Sequence, residues 1–147
     1  EFKTLFHGHT YTGNPLACAA AIANMEIFAA EGTVDKLAGK IVHLQERMAD
    51  VSLLKHVGEI RQRGFMVGIE LVADRDSREE FPLAAKIGHR VTLAARQRGL
   101  IIRPLGNVIV LMPPLSITRE ELDRLCDITV ASIREVTVPK KVREQQG

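Results

Sequence analysis

The sequence lacks several features that would place it in a specialised class of protein. It has no apolar run long enough to span a membrane, and no signal peptide is visible. Its formal net charge is +2 over 147 residues, so charge gives no reason to expect a nucleic-acid or membrane partner. The two cysteines, Cys18 and Cys126, lie far apart in apolar helical surroundings. This placement predicts buried thiols in a reducing compartment, and therefore a cytoplasmic protein.

Familiar catalytic motifs are missing as well. The sequence has no Cys-x-x-Cys pair, no Walker loop, no Gly-x-Gly-x-x-Gly fingerprint and no serine–histidine–aspartate order. His7 and His9 lie two residues apart, but no third ligand with suitable spacing is near, so no metal site is expected. Two candidates for chemistry are left, a loop near the first residues and a single arginine.

Apolar periodicity and turn residues predict an α+β fold. Helices are predicted over residues 15–31, from 33 past 48, from about 83 to 98, and after a Thr118–Glu121 capping box. A strand is predicted over 65–72, a short strand or bend over 59–63, and a hairpin of 100–103 and 108–112 joined by 104–107. This order predicts a small, mostly antiparallel sheet with helices on one face.

The segment from Gly8 to Pro15 combines glycines, hydroxyl groups and a helix start, which are the parts of a phosphate cradle. Asn14 is a good N-cap and Pro15 a good first helical residue, and the helix N-terminus is expected to add unpaired N–H groups. The helix that follows is apolar on most sides and must be covered nearly all round. We therefore interpret residues 1–32 as belonging to a different domain from 33–138, with 139–147 as a flexible tail.

Arg103 is the second candidate. It closes the apolar run 100–102, and a guanidinium at the end of a buried strand needs an anionic partner. Two interpretations are open, a two-point fork for a ligand carboxylate and a structural ion pair with Glu or Asp. Gly68 inside a predicted strand indicates either the close approach of another element or a plain packing role. Nearby charges, on residues 59–61 and 70, are interpreted as sheet-surface or interface charges.

These motifs together resemble one family, the class III aminotransferases, which are fold-type-I enzymes that use pyridoxal 5′-phosphate. The start of that family's C-terminal region is similar to the run His7-Gly8-His9-Thr10-Tyr11-Thr12-Gly13-Asn14-Pro15. Its later signature is similar to residues 99–109 followed by 111–115, and residues 56–62 with 64–66 strengthen the match. The resemblance covers nearly all of the chain, to about Val136.

The resemblance implies a homodimer with shared active sites that acts in biotin biosynthesis. It implies that pyridoxal 5′-phosphate carries the amino group of S-adenosylmethionine to 8-amino-7-oxononanoate, giving 7,8-diaminononanoate. The resemblance implies that Thr10 reaches the cofactor phosphate of the neighbouring subunit, with His9 beside it. The resemblance further implies that Gly8 lines the substrate site and that Arg103 holds the substrate carboxylate.

The resemblance also implies that no catalytic residue lies in this chain. The Schiff-base lysine of the family lies upstream of the matching segment, and Lys3 is not placed to be that residue. We therefore expect a C-terminal fragment that is inactive alone. Two alternatives are another class III transaminase, acting on an ω-amino acid or a diamine, and a non-catalytic α+β module that dimerises or binds a ligand.

Overall fold

The computed structural model describes residues 13–138, and the chain divides into two compact units, Glu1–Leu37 and Ala38–Gly147. The helices and strands of the described part are, in chain order, α1 (Pro15–Glu31), α2 (Thr33–Ser52), β1 (Val57–Arg63), β2 (Met66–Leu71), α3 (Ile87–Gln97), β3 (Arg103–Leu105), β4 (Val108–Leu111) and α4 (Arg119–Thr137). Among residues 13–138, no helix combines the length and apolarity that a membrane span requires.

Helix α1 has the predicted bounds and the predicted caps. Asn14 is its N-cap, Pro15 its first residue, and Gly32 ends it in the left-handed conformation with φ 58°. The helix buries none of its residues, and Cys18 is exposed, so the prediction of a buried thiol there was wrong. Whether an apolar helix is covered depends on what surrounds it, which its own sequence does not determine.

The four strands form one antiparallel sheet in the order β1-β2-β4-β3. Because side chains alternate across a strand, one face of the sheet is buried and the other is not. The buried face carries the apolar side chains of Val67, Ile69, Leu71, Ile109 and Leu111. We call the opposite side the open face; it carries Glu59, Arg61, Arg63, Met66, Gly68, Glu70, Arg103, Leu105, Val108 and Val110. The predicted α+β fold with helices on one side of the sheet is confirmed.

Buried side chains of the helices complete the core, and polar contacts fix how α2, α3 and α4 pack. The core residues from these helices include Leu44, Met48, Val51, Val91, Leu122 and Ile133. His43 Nε2 lies 2.7 Å from Asp123 Oδ1, which joins α2 to α4. The predicted capping box is confirmed, since Glu121 N donates to Thr118 Oγ1 at 3.2 Å and Thr118 N donates to Glu121 Oε2 at 2.8 Å.

Two predicted boundaries were wrong. Leu83 does not begin α3; it begins a single 3₁₀ turn, and Lys86 then takes a left-handed φ of 48° before the helix starts. The apolar run 100–102 is not a strand either, and β3 begins only at Arg103. Its pairing with β4 places Pro104 opposite Ile109, so the proline lies in an edge strand, where a missing N–H is tolerated.

A close approach of backbone to backbone fixes α3 against the β3–β4 hairpin. A Cβ atom added to Gly88 in the first turn of α3 would lie 2.2 Å from the carbonyl oxygen of Gly106 and 3.0 Å from Pro104 Cβ. No side chain fits in that space. Position 88 therefore requires glycine because of the packing distance, while its own φ is ordinary.

Cys126 on α4 is buried, as predicted, and burial raises the pKa of its thiol from 9.0 to about 11. The thiolate is the reactive form, so we expect Ellman's reagent at pH 8 to label Cys18 quickly and Cys126 only after unfolding. In the Cys18→Ser variant the fast phase should disappear, and denaturant should restore one reactive thiol. A fast-reacting thiol that persists in Cys18→Ser would contradict the burial of Cys126.

The raised pKa of the Cys126 thiol also predicts that the folded chain loses stability in alkali. Between pH 9 and about 11 the unfolded thiol ionises while the folded thiol keeps its proton, so rising pH favours the unfolded state. The contribution of Cys126 to stability is complete below pH 9 and is lost as the pH rises through that window. Urea unfolding at several pH values should show a shallower alkaline decline for Cys126→Ala than for the parent chain.

Candidate functional site

Three of the predicted site residues, Gly8, His9 and Thr10, lie outside the described residues. The helix that follows them is described, and its N-terminus is the part of the predicted phosphate cradle whose hydrogen bonds are seen. The Asn14 side chain accepts hydrogen bonds from the N–H groups of Leu16 at 2.9 Å and Ala17 at 3.4 Å. The N–H of Cys18 donates to the Asn14 carbonyl at 2.9 Å, and Pro15 has no N–H.

The first-turn N–H groups of α1 are therefore already bonded, and the expectation that they are free for a phosphate was wrong. An asparagine N-cap satisfies the donors that would otherwise bind an anion. A phosphate at this motif would have to be bound by residues before Asn14, through their hydroxyl and backbone groups. The described residues therefore do not form a helix N-terminal anion site, and the predicted role of Thr10 stays a prediction.

Arg103, the fourth predicted site residue, begins β3 at the edge of the sheet and is exposed. The expectation of a buried strand end was wrong, because the apolar run before Arg103 does not pair with another strand. Within residues 13–138, no salt bridge involves Arg103. The described part of the chain therefore gives no support to the structural ion pair that was the alternative for this guanidinium.

The strand register shows how Arg103 differs from the other arginine in its row. Arg61, Gly68, Val110 and Arg103 are consecutive cross-strand partners on the open face. Arg61 is neutralised at one end of the row, because its Nη1 lies 2.6 Å from Glu59 Oε2 and 2.5 Å from Glu70 Oε2.

Hydrogen bonds to those two carboxylates raise the pKa of Arg61 above its already high value. Arg103 stands at the other end of the row beside the half-buried Val110, with no such carboxylate among the described residues. A guanidinium with apolar neighbours and no internal acid is suited to a carboxylate ligand, which it can bind in two-point geometry.

A cavity of about 630 Å³ lies next to Arg103, where the end of β4 and helix α4 face the segment before β3. Its lining is mostly apolar and consists of Gly99, Leu100, Ile101, Ile102, Arg103, Val110, Met112, Pro113, Pro114, Ile117, Glu121, Arg124, Leu125 and Ile128. The carboxylate of Glu121 is already engaged in the capping box. The apolar run 100–102, predicted as a strand, thus lines a cavity instead.

The sequence singled out Arg103 as a candidate but did not show how its surroundings differ from those of Arg61. Both are arginines on short strands, and the pairing of Arg61 with Glu59 and Glu70 depends on the register of β1 against β2. The interpretation of those three residues as sheet-surface charges agrees with their positions. Arg124 lines the same cavity and was not singled out from the sequence, because no local pattern in α4 distinguishes it. Among the described residues, no cluster of three or more His, Cys, Asp or Glu side chains is placed to hold a metal ion.

Comparison with known proteins gives a consistent assignment. The family model for aminotransferase class III matches residues 1–133. A curated relative from Nitratidesulfovibrio vulgaris, adenosylmethionine-8-amino-7-oxononanoate aminotransferase, is 54% identical over 137 residues, which are 93% of this chain and 25% of that protein. The crystal structure of the enzyme of the same name from Methanocaldococcus jannaschii matches with a TM-score of 0.83 and 47% identity, over 91% of this chain and 31% of that one.

A second solved structure carries a different enzyme name. It is an (S)-enantioselective ω-transaminase from Thermomicrobium roseum, with a TM-score of 0.82, 36% identity, and coverage of 91% of this chain and 30% of that one. The chain thus spans between 25% and 31% of the length of these relatives. Since the family model covers most of the chain and the fold agrees, the chain belongs to the class III aminotransferase family.

Proposed function

We propose that this 147-residue chain is the C-terminal part of a pyridoxal 5′-phosphate-dependent aminotransferase of biotin biosynthesis. The complete enzyme transfers the amino group of S-adenosylmethionine to 8-amino-7-oxononanoate, giving 7,8-diaminononanoate. Five relatives that carry this activity in their names are 47–54% identical to the chain, another of the same name is 32% identical, and the ω-transaminase is 36% identical.

The observation that carries the proposal is the position of Arg103. Its guanidinium is exposed at the edge of the sheet, beside a mostly apolar cavity, and the described residues give it no carboxylate partner. The acceptor, 8-amino-7-oxononanoate, is an aliphatic chain that ends in a carboxylate. Arg103 binds that carboxylate in two-point fashion and thereby orients the acceptor, while nearby apolar side chains exclude water from the pair.

The cofactor contacts come from the segment before α1. Pyridoxal 5′-phosphate, when bound, supplies the electron sink that amino transfer needs. The Thr10 hydroxyl and His9 would hold its phosphate, and Gly8 would line the substrate site. This fits the structure, because the N–H groups of the first turn of α1 are bonded to Asn14 and leave phosphate binding to the residues before it.

We also propose how the chain divides into domains. Residues 1–32 end the large cofactor-binding domain, residues 33–138 form the small C-terminal domain, and residues 139–147 form a flexible tail. The complete enzyme is a cytoplasmic homodimer in which Thr10 of each subunit reaches the cofactor of the other. The Schiff-base lysine belongs to the part of the enzyme that precedes these residues.

The test is an assay of the complete polypeptide in which these residues occur. We expect the purified protein, supplied with pyridoxal 5′-phosphate and 8-amino-7-oxononanoate, to form 7,8-diaminononanoate with S-adenosylmethionine as donor. Mass spectrometry detects the product, and alanine and a diamine serve as comparison donors. The 147-residue chain alone should form no product under the same conditions.

The donor comparison separates the proposal from its main alternative. Turnover with alanine or a diamine, and none with S-adenosylmethionine, would assign the protein to the ω-transaminases, which the Thermomicrobium roseum match supports. Absence of transfer with every donor, in a protein that also fails to bind the cofactor, would favour a non-catalytic module.

A further inference from the structure

The hairpin of β3 and β4, which carries Arg103, is weak as an isolated element. β3 has three residues and lies at the edge of the sheet that the structure describes, with β4 as its neighbour. Its middle residue, Pro104, has no N–H to donate to the ladder. A strand this short adds little stability by itself, so the direction in which Arg103 points depends on what else holds the hairpin.

The turn of the hairpin is held on two sides. On one side the Gly106 carbonyl lies against Gly88 of α3, at the close approach described above. On the other side the side chain of Asn107 donates from Nδ2 to the carbonyl oxygen of Phe81 at 2.8 Å, across 26 residues of sequence. A carbonyl oxygen can only accept, so the Asn107 amide must present its NH₂ group to Phe81.

The Phe81 carbonyl is a fixed partner, because the segment before it is tied to the end of β2. Ala73 N donates to the Glu79 carbonyl at 2.8 Å, and Val72 forms an antiparallel bridge with Glu80. The hydrogen bond from Asn107 therefore joins the hairpin turn to backbone that is itself paired with the sheet. A support of this kind limits how far the turn can move.

We infer that Asn107 is a positioning residue for the carboxylate-binding arginine: its side-chain amide fixes the turn, and thereby the orientation in which β3 presents Arg103. The inference rests on the proposed function, since it takes Arg103 as the residue that binds the acceptor carboxylate. Two-point binding requires the guanidinium to be held in one orientation, and small displacements of a positioning group are costly in rate. Asn107 acts through the hairpin and not by contact with the substrate.

The test compares Asn107→Ala and Asn107→Ser in the complete enzyme, since both side chains are too short to reach the Phe81 carbonyl. Each should lower the preference for 8-amino-7-oxononanoate over its uncharged methyl ester by about tenfold, less than removal of the guanidinium itself. Turnover of the ester should stay within about twofold of the parent value, because the ester does not use the fork of Arg103. Serine is common in turns, so Asn107→Ser provides the measurement if the alanine variant does not fold.

Hydrogen–deuterium exchange follows the hairpin without any turnover. In both Asn107 variants of the complete enzyme, peptides that contain residues 103–111 should exchange at least about threefold faster than in the parent, while peptides of α4 keep the parent rate. Unchanged exchange over residues 103–111 would overturn the inference, because the hydrogen bond to Phe81 would then not hold the hairpin.

A destabilised control variant separates positioning from a general loss of stability. Ile133 on α4 is 1% exposed, and Ile133→Val weakens the core in a helix that does not carry the turn. It should lower Tm and leave the preference for acid over ester unchanged. A preference that falls in Ile133→Val as much as in Asn107→Ala would overturn the inference, because any loss of stability would then suffice.

The kinetic outcomes distinguish this inference from the proposed function. If Arg103→Ala loses the preference for the acid and both Asn107 variants keep it, the positioning role is refuted and the proposed function stands. If Arg103→Ala keeps the preference, the proposed role of Arg103 is refuted and the role of Asn107 with it.

Discussion

Arg103→Ala in the complete enzyme is expected to lower kcat/KM for 8-amino-7-oxononanoate by about 100-fold. Removing the guanidinium leaves the substrate carboxylate without its charged hydrogen-bond donors, and such a loss costs about 2–4 kcal/mol once the bound substrate covers the pair. Because Arg103 has no acid partner within residues 13–138, its loss leaves no described carboxylate unpaired. The effect should therefore appear in binding and orientation and not in folding.

Substrate analogues make this prediction specific to the carboxylate. The parent enzyme should prefer the free acid strongly over its methyl ester, and Arg103→Ala should treat the two almost alike. Arg103→Lys keeps the charge but loses the planar fork, so an intermediate loss of about tenfold is expected. Steady-state kinetics with acid and ester as acceptors, at saturating donor, measure all of these ratios.

Arg61→Ala is the matched control, because Arg61 lies in the same cross-strand row but is bonded to Glu59 and Glu70. It should leave kcat/KM within about twofold of the parent value, since exposed ion pairs contribute little. An equal loss in Arg61→Ala, or a loss in Arg103→Ala that is the same for acid and ester, would show that Arg103 does not bind the carboxylate.

Features set by a few neighbouring residues could be predicted from the sequence. Asn14 and Pro15 start α1, Gly32 ends it, and Thr118 with Glu121 starts α4, each through hydrogen bonds inside one turn. The overall α+β order followed from the spacing of apolar residues. These predictions were confirmed because no distant contact competes with the local preference.

Features set by distant partners could not be predicted in the same way. The start of β3 at Arg103 depends on pairing with Val110, and the apolar run before it lines a cavity. The exposure of Cys18 depends on what lies around α1. Arg103 was a candidate from the sequence and stays one, whereas its contrast with Arg61 required the register of the whole sheet.

Gly88→Ala is expected to destabilise the fold by about 3 kcal/mol, the upper range for inserting a methyl group into a packed contact. The new Cβ would lie 2.2 Å from the carbonyl oxygen of Gly106, and a backbone oxygen cannot rotate away as a side chain can. Either α3 or the β3–β4 turn must move. Urea unfolding of the parent and variant chains measures the difference, and Tm should fall by roughly 10 °C.

Gly39→Ala provides the same substitution in open space. Gly39 lies inside α2, and an added Cβ would meet nothing within 4 Å beyond the helix's own backbone. Alanine there should raise stability by about 0.5–1 kcal/mol, because it is the better helix former. If Gly88→Ala were as stable as Gly39→Ala, the close approach of α3 to the hairpin would be refuted.

The two large effects can be separated by measuring stability and kinetics on the same variants of the complete enzyme. Arg103→Ala should change Tm little, since exposed substitutions usually shift stability by less than about 0.5 kcal/mol, while it removes the preference for acid over ester. Gly88→Ala should lower Tm and also weaken that preference, because Gly106 lies in the turn of the hairpin whose first strand begins at Arg103. A Gly88→Ala enzyme with lowered Tm and an unchanged acid preference would show that α3 moves and the hairpin stays in place.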